Sequence, residues 1–565
     1  MATSSLSKKI RTLEHQLSNR WCRLGAEGVT LAFFFIIILG PTIFVFSAVF
    51  LSWSEVFTTV FNDPIAGDIR WQIMRTALMR SFQIATIATV IDITIGLPMA
   101  IILSRYEFKG KELLDTLVDL PMAVPTAALG FSIFLFWGTR SGISALFGLE
   151  TGLISRGPLL IILAHIAFTY PYIVRSLKAV ILGIDKTYED AAKTLGASGF
   201  TTWRTITMPL MKEGLIAGAI LSFTRSLGET GATLIVAGVY ETAPILIVSW
   251  RKLLLIPATA FLAMILVAIA IMMLVIVRFI ARKVGFPIEK VWPRPEQFLS
   301  GMWQRRLRNA LTIVAFLAII LLPSLFTFQY VALWWGGSPA TGRVESGVYY
   351  QVFQAPDMKW AWLLISLVTS LQIATLATLI NMALGLPMAF ILVRRKWGKI
   401  NGILDALVDI PLAVPSSAIG FSAFLFWRGI INPGFWLILV VHIIFTYPYF
   451  IRPVIAVIEG VDPGYEEAAK TLGASDLTMF RTVTLRLIGR GILAGAIMVF
   501  TRSLGETGAT IVVMGLSRTV PVYIVDLVES LALPAAAFAS IILICISLAL
   551  LLTLRYITRS TEEGR

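Results

Sequence analysis

Long apolar runs alternate with short basic turns along this chain. Val29 to Ser52, Phe261 to Val277 and Ala535 to Leu554 each approach the ~20 residues that cross a bilayer as helix. The first half is expected to hold six spans, at about 29–52, 78–103, 113–137, 159–182, 214–238 and 258–280. A polar external segment precedes span 2 and reaches about Arg75. Span 2 should kink at Gly96 and Pro98, a break that neighbouring helices can re-satisfy. Span 3 carries Pro121 and Pro125 and cannot be regular throughout. Those prolines, and Pro411 with Pro415, either break helices beside a pore or merely kink their packing.

The pattern then returns. SFQIATIATVIDITIGLPMA at 81–100 reappears as SLQIATLATLINMALGLPMA at 370–389. LDTLVDLPMAVPTAALGFSIFLFW at 114–137 reappears at 404–427, and HIAFTYPYIVR at 165–175 reappears at 442–452. The chain is a fused duplication. Six spans per half is an even number, so both halves enter the membrane in one orientation, as parallel repeats. The expected fold is an all-α polytopic membrane protein of about 12 transmembrane helices in two six-helix repeats. Its parts are an N-terminal arm (1–28), a first repeat (29–281), a linker (282–309), a second repeat (310–557) and a tail (558–565), with arm, linker and tail cytoplasmic.

Composition sharpens this picture. Hydrophobic residues make up 57% and charged residues 14%, a balance that suits a bilayer. The net charge of +14 comes from Lys and Arg beside apolar runs, as cytoplasmic loops require, so nucleic acid is not the inferred partner. Lys8, Lys9, Arg11, Arg20 and Arg23 place the arm in the cytoplasm, and the run behind it is long enough to stay as a span. Cys22 and Cys545 lie at opposite ends and form no metal or disulfide pattern.

Before span 5, and again before span 11, sits a polar loop, 185–212 and 462–488. Each should fold as two short helices with a sharp bend. Asp462 is a good N-cap with Pro463 at the first helical position, Gly473 suits a left-handed turn, and Ser475 can cap the next helix. Asp185, Gly196 and Ser198 match them in the first copy. Ala191 and Ala192, with Ala468 and Ala469, leave a low face that another protein can approach.

The helices that follow carry charge. Gly218, Ser222, Arg225, Glu229 and Ala232 should form one continuous stripe, as should Gly495, Val499, Arg502, Glu506 and Ala509. Charge in the bilayer interior costs at least about 2.5 kcal/mol and marks either a pairing that braces helices or a pathway. In the pathway reading Arg225 and Arg502 offer donors to a passing anion. His165 and His442 sit at matching places, as proton relay or as a hydrogen bond between helices. Asp115, Asp119, Asp405 and Asp409 read as interfacial charges at helix N-termini more readily than as ligands.

The loops resemble the signature of permease subunits of ATP-binding-cassette importers: Glu-Ala-Ala, three residues, Gly, nine residues, Ile-x-Leu-Pro. The first copy reads Glu189-Asp190-Ala191-Ala192, then Gly196, then Ile206 to Pro209. The second reads Glu466-Glu467-Ala468-Ala469, then Gly473, then Val483 to Arg486. Asp190 stands for Glu in one copy and Arg486 for Pro in the other, which leaves the second loop's exit less sharply fixed. The resemblance implies the type I importer fold, with these loops as coupling helices on a separate cytoplasmic ATPase, expected as a homodimer. It also implies an extracytoplasmic solute-binding protein and a prokaryotic plasma membrane. No G-x-x-x-x-G-K-[ST] loop is present, so this chain is no enzyme and holds no cofactor, and ATP and Mg belong to the partner. RSLGETGAT, at 225–233 and 502–510, is similar to segments of molybdate, tungstate and sulfate permeases; its R-x-x-G-E-T part is also like phosphate permeases. Fused two-half permeases occur among iron(III), thiamine and phosphonate importers, which leaves those substrates as alternatives. An ion-coupled secondary transporter and a channel are the competing classes.

Overall fold

The computed structural model describes residues 20–280 and 293–559, apart from 340 and 396. Lys8, Lys9 and Arg11 of the expected arm, residue 281 at the end of the expected first repeat, 282–292 of the linker and 560–565 of the tail lie outside the described residues. The described part is helical, with one isolated bridge between Asp63 and Gly67.

In the first half the helices are α1 (Leu24–Leu51), α2 (Ile69–Arg105), α3 (Lys111–Ala123), α4 (Thr126–Gly138), α5 (Pro158–Gly183), α6 (Lys186–Thr194), α7 (Lys212–Leu227), α8 (Gly231–Val236), α9 (Ala243–Lys252) and α10 (Ile256–Ile280). A short helix, α11 (Pro293–Leu299), precedes the second half. That half repeats the order as α12 (Met302–Leu333), α13 (Lys359–Arg394), α14 (Lys399–Ala413), α15 (Ser416–Trp427), α16 (Phe435–Glu459), α17 (Pro463–Thr471), α18 (Leu485–Leu504), α19 (Gly508–Val513), α20 (Val520–Glu529) and α21 (Leu533–Arg559). Among the described residues nine helices are long and apolar enough to span, or twelve when three bent pairs count as one span each. This is a multi-pass membrane protein of two repeats.

Several expected bounds shift. Span 2 begins at Ile69, so the polar segment expected to reach Arg75 ends earlier, because IRWQIMRTA is polar yet helix-forming. The helix of span 7 begins at Met302, inside the segment expected to be linker. Span 3 divides at Val124–Pro125 into α3 and α4 with a bend of 105°, and α14 and α15 meet at 107°. Pro125 and Pro415 stand just before the second helix of each pair, where their missing N–H costs nothing. Every residue from Thr126 to Phe136 is buried, as an all-apolar helix inside a bundle should be.

The first span of each half packs on the other half. α1 lies against α15, and α12 lies against α4. The two contacts match in detail: the rings of Phe44 and Phe426 meet edge-on at 5.4 Å, those of Phe136 and Phe326 at 5.5 Å. Pairs of like contacts are what a twofold relation between repeats produces.

Candidate functional site

The expected continuous stripe on span 5 is overturned. The helix stops at Leu227, residues 228–230 are non-helical, and α8 restarts at Gly231; the second copy stops at Leu504 and restarts at Gly508. Arg225 and Glu229 therefore face each other across a break. They remain an ion pair, Nη2 to Oε2 at 2.9 Å, with the Glu229 side chain 2% exposed. Arg502 and Glu506 pair more loosely at 3.5 Å, and the Arg502 Nε is buried with no partner. The other carboxylate oxygen of each Glu accepts from the first turn of the restarted helix, Ala232 N at 3.1 Å and Ala509 N at 3.0 Å. Each Glu thus satisfies one orphan N–H of the helix that restarts after the break. The guanidinium groups rest over aromatic rings, Arg225 on Phe168 at 5.4 Å and Arg502 on Phe445 at 4.4 Å.

The histidines hold the two sides of each break. His165 Nδ1 lies 2.7 Å from Ser226 Oγ, before the break, and Nε2 lies 3.0 Å from Thr233 Oγ1, after it. His442 repeats this with Ser503 at 2.7 Å and Thr510 at 2.9 Å. Of the two roles left open for these residues, the geometry is that of hydrogen bonds between helices.

The breaks of the two halves touch each other. A Cβ on Gly231 would stand 2.7 Å from the Cβ of Thr507, and one on Gly508 would stand 2.6 Å from the Cβ of Thr230. Only glycine lets the backbones approach this closely. A cavity of about 300 Å³ spans both halves, lined by Tyr172 and Arg175 of α5, Tyr449 of α16, and Thr501 and Arg502 of α18. Arg502 lines it; Arg225, paired more tightly, does not.

The four aspartates, expected as interfacial charges more readily than as ligands, are ion-paired. Asp115 and Asp119 clamp Arg175 of α5, at 2.7 and 2.5 Å, with Lys178 also on Asp115 at 2.7 Å. Asp405 and Asp409 clamp Arg452 at 2.5 and 2.7 Å. They tie α3 and α14 to the long helices beside them, and are not free N-terminal charges. Arg175 and Arg452 were missed as partners, although both lie in the duplicated HIAFTYPYIVR segment. Asp92 was missed as well: it accepts from Thr169 at 2.5 Å and Ser222 at 2.8 Å, and the second half has Asn381 in its place.

The polar loops fold as their sequence suggests. Asp185 accepts from Thr187 N at 2.9 Å, and Asp462 from Gly464 N at 2.8 Å. Backbone hydrogen bonding holds the Asp185 carboxyl below its usual range. Gly196 and Gly473 both have φ of +87°, and Ser198 and Ser475 cap the next turn. The exits differ: the chain bends by 70° between Leu210 and Lys212, two residues past Pro209, whereas the second copy runs as one helix from Asp476 to Leu504.

Within the signature the residues divide. Glu189 and Glu466 point inward as anchors, Glu189 to Arg105 at 2.9 Å and Glu466 to Arg394 at 3.5 Å. Asp190, Ala191, Glu467 and Ala468 are exposed, and Ala192 and Ala469 half-buried. Tyr188, Ala191 and Leu195 make an outward stripe, with Leu195 89% exposed; Tyr465, Ala468 and Leu472 repeat it, with Leu472 also 89% exposed. Apolar side chains this exposed on a polar loop mark a contact surface.

Residues 93–286 and 381–563 each match the family described as binding-protein-dependent transport system inner membrane component. A sulfate transport system permease protein of Salmonella typhimurium is 36% identical over 216 residues, 37% of this chain and 73% of that protein. A molybdenum transport system permease protein of Escherichia coli is 34% identical over 174 residues, 30% of this chain and 73% of that protein. A probable sulfate permease of Chlorella vulgaris is 33% identical over 186 residues, 33% of this chain and 66% of its own length. With the family found once in each repeat, and with paired loops and paired breaks in the structure, this chain belongs to the inner-membrane components of binding-protein-dependent transport systems.

Proposed function

We propose that this chain is the permease of an ATP-driven importer and forms the path of a small oxyanion: molybdate, tungstate or sulfate. A separate ATPase, acting as a homodimer with its own ATP and Mg, grips α6 and α17 from the cytoplasm. A binding protein delivers solute from the opposite side, and both termini of this chain lie in the cytoplasm of a prokaryotic cell. The observation that carries this reading is the pair of exposed stripes, Tyr188 to Leu195 and Tyr465 to Leu472, at matching places on two capped loops.

The geometry supports a transmission route. α6 sits between α5 and α7 in the chain, and His165 of α5 ties both sides of the break that follows α7. A stroke on α6 therefore moves α5 and α7 together and bears on the break where the halves meet. Arg502 already lines a cavity there, and an arginine fork suits a tetrahedral oxyanion. Relatives named for sulfate and molybdenum transport favour the oxyanion over iron(III), thiamine or phosphonate.

Reconstitution in vesicles with the ATPase and binding protein that co-purify tests this. ATP-dependent uptake of labelled sulfate or molybdate, abolished when the ATPase is omitted, is the expected result. Uptake by this chain alone under an ion gradient would overturn it in favour of a secondary transporter.

A further inference from the structure

Beneath the first loop is a pocket of about 470 Å³, walled by the end of α2, the residues after α6 and the start of α12. We infer that it binds the headgroup of an anionic phospholipid, and that the second half has no equivalent site.

The charge balance comes first. Arg105, Lys186, Lys193, Arg305 and Arg308 line the pocket, against Glu189 and Asp190. Arg105 takes Glu189 and Lys193 takes Asp190, both at 2.9 Å. Lys186 has Glu107 near it, whereas Arg305 and Arg308 make no ion pair among the described residues, Arg308 donating only to the neutral Asn309 Oδ1, so two arginines face the cavity without a counter-charge. Three polar atoms of lining residues are buried without a partner: Arg105 Nε, Thr202 Oγ1 and Trp203 Nε1. Thr202 is only 3% exposed. Buried polar groups are rarely left unpaired, and all three can donate to an anion.

The second half provides a built-in comparison. Its pocket, about 510 Å³, has Arg394, Arg395 and Lys470 in its lining. Each is already paired: Arg394 with Glu466 at 3.5 Å, Lys470 with Asp476 at 2.9 Å, and Arg395 with Glu27 of α1. Of the polar atoms lining it, Arg394 Nε alone is buried without a partner among the described residues, against three in the first pocket.

The apolar part identifies the source. Leu97, Pro98 and Ile101 of a membrane-spanning helix also line the first pocket, and these suit the glycerol and upper acyl region of a lipid, not a free oxyanion. Trp303, Leu307 and Leu311 lie four residues apart on α12 and are 75%, 61% and 59% exposed, a face turned to lipid. Trp303 stands where indoles anchor at the headgroup level, and basic pockets between spans bind anionic headgroups. A lipid there would bridge the first loop to α12.

Native mass spectrometry of the full chain in mild detergent, titrated with dioleoyl phosphatidylglycerol or phosphatidylcholine, tests the site. Wild type should retain phosphatidylglycerol preferentially. The Arg305→Gln, Arg308→Gln double variant should retain it at least about tenfold less, at roughly one decade or more for two basic groups. Lys470→Gln, in the other pocket, should behave as wild type. Thr202→Val removes one hydroxyl at constant volume and should weaken retention a few-fold even if the double variant proves unstable without lipid. Equal retention of both lipids by wild type, or undiminished phosphatidylglycerol on the Arg and Thr202 variants, overturns the site. Displacement of the lipid by millimolar inorganic phosphate assigns the pocket to a soluble anion and overturns the lipid.

Discussion

Gly231 and Thr507 meet so closely that a Cβ on the glycine would lie 2.7 Å from the threonine's own Cβ. Neither atom is at the end of a flexible chain, so an added methyl must push the halves apart. Overpacking of this kind costs about 1–3 kcal/mol. Gly231→Ala should lower thermal stability in detergent and slow uptake. Gly231→Ala with Thr507→Gly, which moves the Cβ from one side to the other, should recover most of the loss in a double-mutant cycle. Additive losses would show that the two residues do not touch.

His165 should be needed for structure at the break. His165→Ala leaves Ser226 without its buried partner, at about 1–3 kcal/mol for a group left unpaired, while Thr233 keeps its bond to the Glu229 carbonyl. Thermal melting of the purified chain reads the cost. His165→Gln, which keeps a donor and an acceptor, should recover part of it.

The ion pairs distinguish bracing from conduction. Arg225→Gln strands a buried Glu229, and removing one partner of such a pair costs about 3–5 kcal/mol. Arg225→Gln with Glu229→Gln should restore folding, read as a monodisperse melt. Arg225 does not line the cavity, so uptake by that neutral double variant should return close to wild type, whereas the matching Arg502→Gln, Glu506→Gln variant should stay at least about tenfold below it. Full uptake by the second variant would leave that pair a brace alone.

The outward stripes should bind the ATPase. Leu195→Asp with Leu472→Asp places charge at two exposed positions, so the melting temperature should not change. Affinity for the ATPase should fall at least about thirtyfold, as for loss of a central apolar anchor worth about 2 kcal/mol. Surface plasmon resonance on the purified pair measures it, and unchanged binding would remove these helices from the interface.

The Asp185 cap should weaken in acid. Its carboxyl sits below the usual range because the Thr187 N–H bonds its charged form. The cap is then fully present above the unfolded-chain value and is lost as pH falls through the folded one. Protection of the Thr187 amide, corrected for intrinsic exchange, should fall below about pH 4, and Asp185→Ala should lack it at every pH.

The spans, the duplication and the loop caps were legible because each rests on local chemistry: apolar length, repeated words, a capping aspartate with a glycine eleven residues on. The breaks at Gly228 and Gly505 were not. The spacing of Ser222, Arg225, Glu229 and Ala232 keeps helical period straight across the gap, so periodicity alone reads it as unbroken. A residue from far along the chain packs against the break: a Cβ on Gly228 would lie 3.0 Å from the Cα of Pro415. The clamps on Arg175 and Arg452 were hidden for the same reason, since their aspartates sit in a different span. α9 and α20 passed unnoticed because ten residues are too few to register as a crossing.

The placement of α1 has a consequence for biogenesis. Its partner surface, α15, emerges from the ribosome only after the whole first repeat and the linker have been made. Until then only elements of its own half, α10 among them, are there to cover the nascent segment. Packing of the first repeat is therefore completed by the second.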